Sequence, residues 1–222
     1  MIPIVLITGP TGSGKTNRAI EYALKHNGEV ISADSRQIYK GFSITTCKAT
    51  VAEMQGIPHH LMSFLELDEV YSAAQFREDA DLLIASIITK GKTPIIAGGT
   101  YFYLFALLFD QYLPDSPPNE TFRASIAQQT TANLYAELQI KNPDRAQQIE
   151  RNDRIRIVRA LEIHNQLGCV PKLKPKLRYQ VELITLPIER TEHRARLKQR
   201  IKSRLDGMLA EIKAGQDQLT PE

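Results

Sequence analysis

Gly9-Pro10-Thr11-Gly12-Ser13-Gly14-Lys15-Thr16 fits the spacing G-x-x-x-x-G-K-[ST] of a phosphate-binding loop, and its flanks agree with it. Ile2 to Ile7 is an apolar, β-branched run that reads as a strand, and Asn17 to Lys25 reads as a helix. The glycines let the backbone curl until successive N–H groups face one concavity. The following helix adds its positive end, Lys15 adds a full charge, and the Thr16 hydroxyl can hold Mg²⁺. Such a cradle takes two linked phosphates, whatever organic group they carry.

Outward from the loop, the first hundred residues alternate strand and helix. Glu29 to Ala33 is a short apolar strand ending at Asp34. Ser72 with Gln75 three residues on marks the start of a helix that runs to about Thr89. Gly91 and Pro94 precede Ile95-Ile96-Ala97, a buried strand that stops at Gly98-Gly99-Thr100. The fold class expected from this order is α/β, a P-loop NTPase-like parallel sheet flanked by helices. Ligands of such sheets sit beyond the carboxyl ends of the strands. Gly9–Thr16, Asp34 and Gly98–Thr100 all fall at such ends, so three strand ends are expected around one cleft.

The character changes at Leu113-Pro114-Asp115-Ser116-Pro117-Pro118. Helical segments follow, over 119–129, 131–141 and 144–167, up to a second break around Gly168 and Lys172-Leu173-Lys174-Pro175-Lys176. A β-branched run, Tyr179 to Leu186, returns to the sheet, and Arg190 to Ala214 reads as a long basic helix. The expected domains are a core over 1–114, a helical insertion over 115–178, and a returning strand and helix over 179–222.

Composition excludes several classes. Of 222 residues, 42% are hydrophobic, enough for a real core. No apolar run reaches the roughly 20 residues needed to cross a bilayer, and Met1 leads straight into the first strand. Cys47 and Cys169 stand far apart, without metal or redox spacing. The expectation is a cytoplasmic monomer with no membrane partner. The net charge of +3 conceals an asymmetry. Residues 141–205 carry 17 Lys and Arg against 7 Asp and Glu, a block suited to a polyanion or, more plainly, to solvated helix faces. His59-His60 reads as a locally hydrogen-bonded pair rather than a metal site, because adjacent side chains diverge.

A phosphate loop alone does not name a reaction. Ser32-Ala33-Asp34-Ser35-Arg36-Gln37-Ile38-Tyr39-Lys40-Gly41, Gly56-Ile57-Pro58-His59-His60-Leu61, Tyr71-Ser72-Ala73-Ala74-Gln75-Phe76, Gly98-Gly99-Thr100-Tyr101-Phe102-Tyr103 and Arg159-Ala160-Leu161-Glu162 follow in this order. Together with the loop they resemble the tRNA dimethylallyltransferase family. The resemblance implies transfer of a dimethylallyl group from dimethylallyl diphosphate to N6 of adenine-37 in the anticodon stem-loop of tRNAs reading codons that start with U. It also implies roles for residues. Gly9 through Thr16 would hold the diphosphate, Thr16 with Mg²⁺, and Arg200 and Arg204 would reach the leaving group. Asp34 would be the base, with a helix cap or a Mg²⁺-side ligand as its other readings. Asp34, Ser35, Arg36 and Gln37 would touch the target nucleotide, and Thr100 the reacting amine. Arg123 and the segment Ile155, Arg156, Ile157, Val158 and Arg159 would contact tRNA. Tyr39, Tyr101, Phe102 and Tyr103 are candidates to stack on the target base, or else core.

The chain departs from the family pattern in places. Where the family reads D-I-G-T-A-K-P it has Ser43-Ile44-Thr45-Thr46-Cys47-Lys48-Ala49, Ser63 stands for the usual aspartate, and Ile155 stands for a common glutamine. The family also continues past Met208-Leu209, so diphosphate binding is expected to be more secure than prenyl transfer. The competing readings are an ATP-binding kinase of small molecules or nucleotides and a catalytically silent tRNA-binding paralogue.

Overall fold

The computed structural model describes residues 1–110, 114–172 and 174–219. Leu113 and Leu173, each within an expected break, and the final residues 220–222 lie outside the described residues. The chain divides into two compact units, Met1–Asp110 with Leu177–Glu222, and Gln111–Lys176. No described helix is long and apolar enough to cross a membrane.

The first unit is built on strands β1 (Ile2–Thr8), β2 (Gly28–Ala33), β3 (His59–His60), β4 (Thr93–Gly98) and β5 (Tyr179–Thr185). They lie in the order β3-β2-β4-β1-β5, and every pairing is parallel. Parallel strands are covered on both faces, so their side chains must be apolar on both. β2 satisfies this with all six residues buried. Successive residues then serve opposite faces. Ile4, Leu6, Ile31, Ala33 and Ile96 pack under helices α3 (Ala73–Thr89) and α4 (Tyr101–Leu108), with Phe76, Ile84 and Leu107. Val5, Ile7, Val30 and Ile95 pack instead with Ala19 and Ala23 of helix α1 (Lys15–His26).

The helix ends follow local chemistry. Ser72 and Gln75 form the reciprocal capping box expected at the start of α3, and a second one, Thr50 with Glu53, starts the short helix α2 (Val51–Met54). Asn27 ends α1 in the left-handed conformation, φ 48°, with its N–H on Ala23 O. The β-branched return pairs with β1 through seven positions, Ile2↔Tyr179 to Thr8↔Thr185. It is held at its start by Arg178, whose guanidinium meets Asp81 at 2.6 Å.

The second unit contains helices α5 (Glu120–Ser125), α6 (Thr131–Lys141), α7 (Pro143–Ala146) and α8 (Arg154–Leu167). Its own core includes Ile126, Leu134, Leu138, Ile149, Ile157 and Leu161. The continuous helix expected over 144–167 is two helices. Asp153 accepts the Arg156 N–H and caps α8 there, while Ile149 turns inward to the core. The expected helix over 119–129 likewise ends at Ser125. The last helix, α9 (Arg190–Leu219), is longer than the Arg190–Ala214 expected from the basic run.

Glu29 is the charged group that the sheet buries most deeply. Its carboxylate is 3% exposed and receives His60 Nε2 at 2.8 Å, Lys92 Nζ at 2.9 Å and Lys90 Nζ at 3.3 Å. Burial works against the charge, but the bonds from Lys92, His60 and Lys90 outweigh it and pull the carboxyl down to about 2. The stabilisation is therefore full above the ordinary value of 4.5 and is lost as pH falls towards 2. Because its three partners keep access to solvent, Glu29→Ala should cost about 3 kcal/mol, the lower end for a broken buried pair. Urea unfolding checks this, with the gap to wild type narrowing as the pH is taken below 4.5.

Candidate active site

A cavity of about 1130 Å³ opens at the carboxyl ends of β1, β2 and β4. Its floor is the 9–16 loop. Gly12 and Gly14 hold φ values of 82° and 91°, the left-handed region in which a side chain would be strained. Gly14 has no side chain to cap α1, which leaves the N–H groups of its first turn available as donors for an anion. Lys15 curls back over the loop, its Nζ donating to Gly9 O at 2.7 Å and Pro10 O at 2.8 Å. Burial holds the Lys15 ammonium below its ordinary pKa; Asp34 opposes that shift and Arg200 adds to it. The charge of an incoming anion would offset both effects.

The wall opposite is the turn after β2. Asp34 Oδ1 accepts the Arg36 N–H at 2.9 Å, which fixes the carboxylate on its own turn. The Ser35 N–H donates to Thr100 Oγ1 at 2.9 Å, and the Thr100 N–H donates to Ala33 O at 3.1 Å. Thr100 thus stands at the start of α4 but does not cap it with its side chain; its hydroxyl ties β4 to the Asp34 turn. Gln37 accepts from Ser32 Oγ and donates to Thr46 O, joining the turn to the 43–48 loop.

The cavity brings together Gly9 to Gly12, Gly14 to Thr16, Asp34 to Gln37, Thr100, Arg200 and Arg204. Ser13 is not part of the lining, and its Oγ is buried without a hydrogen-bond partner among the described residues. Of the stacking candidates, Tyr39 lines the cavity and is joined by Phe42, which had not been singled out. Tyr103 is a core residue, stacked on Phe76 at 4.5 Å, and Tyr101 and Phe102 are exposed outside the lining. His59 makes the expected local hydrogen bond, to Ile57 O, whereas His60 reaches across to Glu29 on the neighbouring strand, far away in sequence.

Two further residues were not foreseen. His193 Nε2 donates to Thr11 O at 2.6 Å, and Leu197 packs where a side chain on Gly12 would have to go. Both lie on the face of α9 that also carries Arg200 and Arg204. Their positions, 193, 197, 200 and 204, are spaced three or four apart, which was the available signal.

The remaining expected site residues belong to the second unit. Arg123 Nε donates to Glu162 at 2.9 Å, and Arg159 pairs with the same carboxylate, which is fully buried. Ile155 and Arg156 are exposed, and Val158 packs at the edge of the unit's core. Ile157 was expected to touch tRNA, but it is fully buried in that core, so its side chain is occupied in packing.

A family model described as IPP transferase matches residues 37–221. The chain belongs to this family. It is 39% identical over 216 residues to the tRNA dimethylallyltransferase of Anoxybacillus flavithermus, covering 95% of this chain and 70% of that one. The corresponding enzyme of Enterococcus faecalis is 40% identical over 220 residues, with the same coverage. Among solved structures, a eukaryotic dimethylallyltransferase acting on tRNA superposes with a TM-score of 0.88 at 31% identity, covering 99% of this chain and 57% of that one. The tRNA isopentenylpyrophosphate transferase of Bacillus halodurans gives 0.68 at 32%, covering 98% and 70%. The five-stranded parallel sheet is thus the P-loop NTPase-like fold expected from the first motif.

No group of three or more His, Cys, Asp or Glu that could hold a metal occurs among the described residues. The donor set suits Mg²⁺ only in the manner of a phosphate-bound ion, with Thr16 as one ligand and the ligand's phosphate oxygens as others. Lys15→Ala should weaken inorganic diphosphate binding by roughly tenfold or more, the worth of a charge-assisted hydrogen bond. Titration calorimetry measures it, and unchanged affinity would remove the loop from the site.

Proposed function

We propose that the chain transfers the dimethylallyl group of dimethylallyl diphosphate to N6 of adenine-37 in tRNAs that read codons starting with U. One observation carries this reading: a phosphate cradle and the Asp34 carboxylate line the same cavity. Membership of the IPP transferase family supports the prenyl donor. The names of the relatives support tRNA as acceptor.

In the reaction the bond between carbon-1 and the diphosphate oxygen breaks, and its electron pair leaves with the diphosphate. The N–H groups of the loop, Lys15, Arg200 and Arg204 stabilise that growing charge; being fixed before the reaction, they need no reorganisation during it. Thr16 would hold Mg²⁺, which neutralises leaving-group charge when bound. The N6 nitrogen forms the new bond to carbon-1, and its proton passes to the Asp34 oxygen that does not accept from Arg36. An exocyclic amine is a weak nucleophile, so a base held in place is required. Ser35 and Thr100 keep the Asp34 turn against the end of β4. The adenine must leave its stack, at a cost of a few kcal/mol, and Tyr39 and Phe42 offer flat surfaces in the lining.

The tRNA is gripped through its phosphates by the basic block. Arg156 in the second unit is the most exposed candidate, with Asp153 beside it at 3.4 Å, while Arg123 and Arg159 share the buried Glu162. Binding should therefore fall steeply and log-linearly with salt.

Incubation of the purified chain with dimethylallyl diphosphate and tRNA should produce dimethylallyladenosine, detected by mass spectrometry of the nucleosides. Transfer of phosphate from labelled ATP to a small acceptor, with no modified nucleoside, would instead support a kinase. Asp34→Ala should lower the rate by about a hundredfold or more while diphosphate affinity is kept. Loss of both would make Asp34 a structural or metal-linked residue.

A further inference from the structure

The 42–48 loop forms one side of the cavity through Phe42, Thr45, Thr46, Cys47 and Lys48. It is a tight turn. Lys48 N–H donates to Ser43 O at 2.9 Å and Cys47 N–H to Ile44 O at 3.1 Å, with Cys47 at φ 54°. Closing the turn this way leaves the three preceding N–H groups, of Ser43, Ile44 and Thr45, aimed in one direction, as at the start of a helix. Glu211 of α9 receives all three. Its Oε1 accepts from Ser43 at 2.9 Å and Ile44 at 2.7 Å, and its Oε2 accepts from Thr45 at 2.7 Å. Burial would raise the Glu211 carboxyl; the N–H groups of Ile44, Thr45 and Ser43 outweigh it and hold the carboxyl below its ordinary range.

The helix turns on either side are shaped for the same contact. A Cβ on Gly207 would lie 2.9 Å from Ile44 Cδ1, and one on Gly215 would lie 2.4 Å from Phe42 Cζ. Positions 207, 211 and 215 repeat every four residues, so one face of α9 presents a glycine, a carboxylate and a glycine to the loop. The earlier turns of that face bear on the phosphate loop through His193 and Leu197. α9 therefore spans both sides of one cavity.

We propose that Glu211 is a positioning residue that latches the 42–48 loop to α9 and thereby sets the side of the cavity that receives the target base. This deepens the prenyl-transfer reading and rests on it for the identity of that base. The loop is joined to the base-facing turn by Gln37 Nε2 on Thr46 O, whereas the phosphate loop is built from β1 and α1 and touches α9 at His193 and Leu197, about four turns before Glu211. Loss of the latch should thus injure use of the nucleic acid and spare the diphosphate.

Cys47 reports the latch directly, with the exposed Cys169 as an internal reference. In Glu211→Ala, alkylation of Cys47 by iodoacetamide, read by peptide mass spectrometry, should rise about tenfold, the size of a modest change in local opening. Cys169 should react as before. Glu211→Gln should fall between, since its amide oxygen keeps the two acceptor bonds made at Oε1. Gly215→Ala, which forces Phe42 away, should also expose Cys47 and serves if Glu211→Ala does not fold. The same variants should lower kcat/KM for tRNA by about tenfold, with inorganic diphosphate affinity within about twofold of wild type. Unchanged Cys47 reactivity in Glu211→Ala or Gly215→Ala would overturn the latch, as would an equal rise at Cys169. Absence of prenylated adenosine from the wild type would overturn the function while the alkylation result still decides the latch.

Discussion

β4 and β2 run so close together at their carboxyl ends that no side chain fits between them. A Cβ on Gly98 would lie 2.2 Å from Ala33 O, closer than any van der Waals contact. This approach allows the Thr100 N–H to reach Ala33 O and the Thr100 hydroxyl to accept from Ser35. Those bonds aim the turn bearing Asp34 towards the loop bearing Lys15. The pairing of β4 with β1, Val5↔Ile95 to Ile7↔Ala97, then fixes the loop on the other side. The geometry of the site here follows from sheet registry and from the close approach that Gly98 permits at the strand end.

Electrostatics complete what the backbone arranges. Lys15 is partly buried, bonded to two carbonyls of its own loop, and near both Asp34 and Arg200. Its charge is opposed by burial and supported by the carboxylate that the proposed reaction uses as a base. A diphosphate in the cradle would add its own support to that charge.

Much of this was readable from local pattern. The phosphate loop, the Ser72–Gln75 capping box, the strand ends at Asp34 and Gly98, and the return of Tyr179 to the sheet depend on residues adjacent in the chain. The features that were missed depend on partners far apart in sequence. His193 meets Thr11 and Glu211 meets Ser43, separations that no local periodicity encodes. The reading of α9 as a basic helix concealed the contacts that Leu197, Gly207, Glu211 and Gly215 make with the loops of the core. The break within 144–167 was missed because helical periodicity was followed through Asn152-Asp153, although Asp153 is a good N-cap residue. Burial of Ile157 was hidden for the opposite reason: the motif runs through every residue of the helix, whereas one face of that helix must build its unit's core.

The central claim is that donor and acceptor meet in the cavity between the phosphate loop and Asp34. A crystal structure with a non-reactive thio analogue of dimethylallyl diphosphate and an anticodon stem-loop tests it most directly. The account predicts the diphosphate on the 9–16 loop, N6 of an extruded adenine about 3–3.5 Å from carbon-1, and an Asp34 oxygen within about 3 Å of N6. An adenine bound elsewhere, or an Asp34 carboxylate turned away from a correctly seated donor, would contradict it.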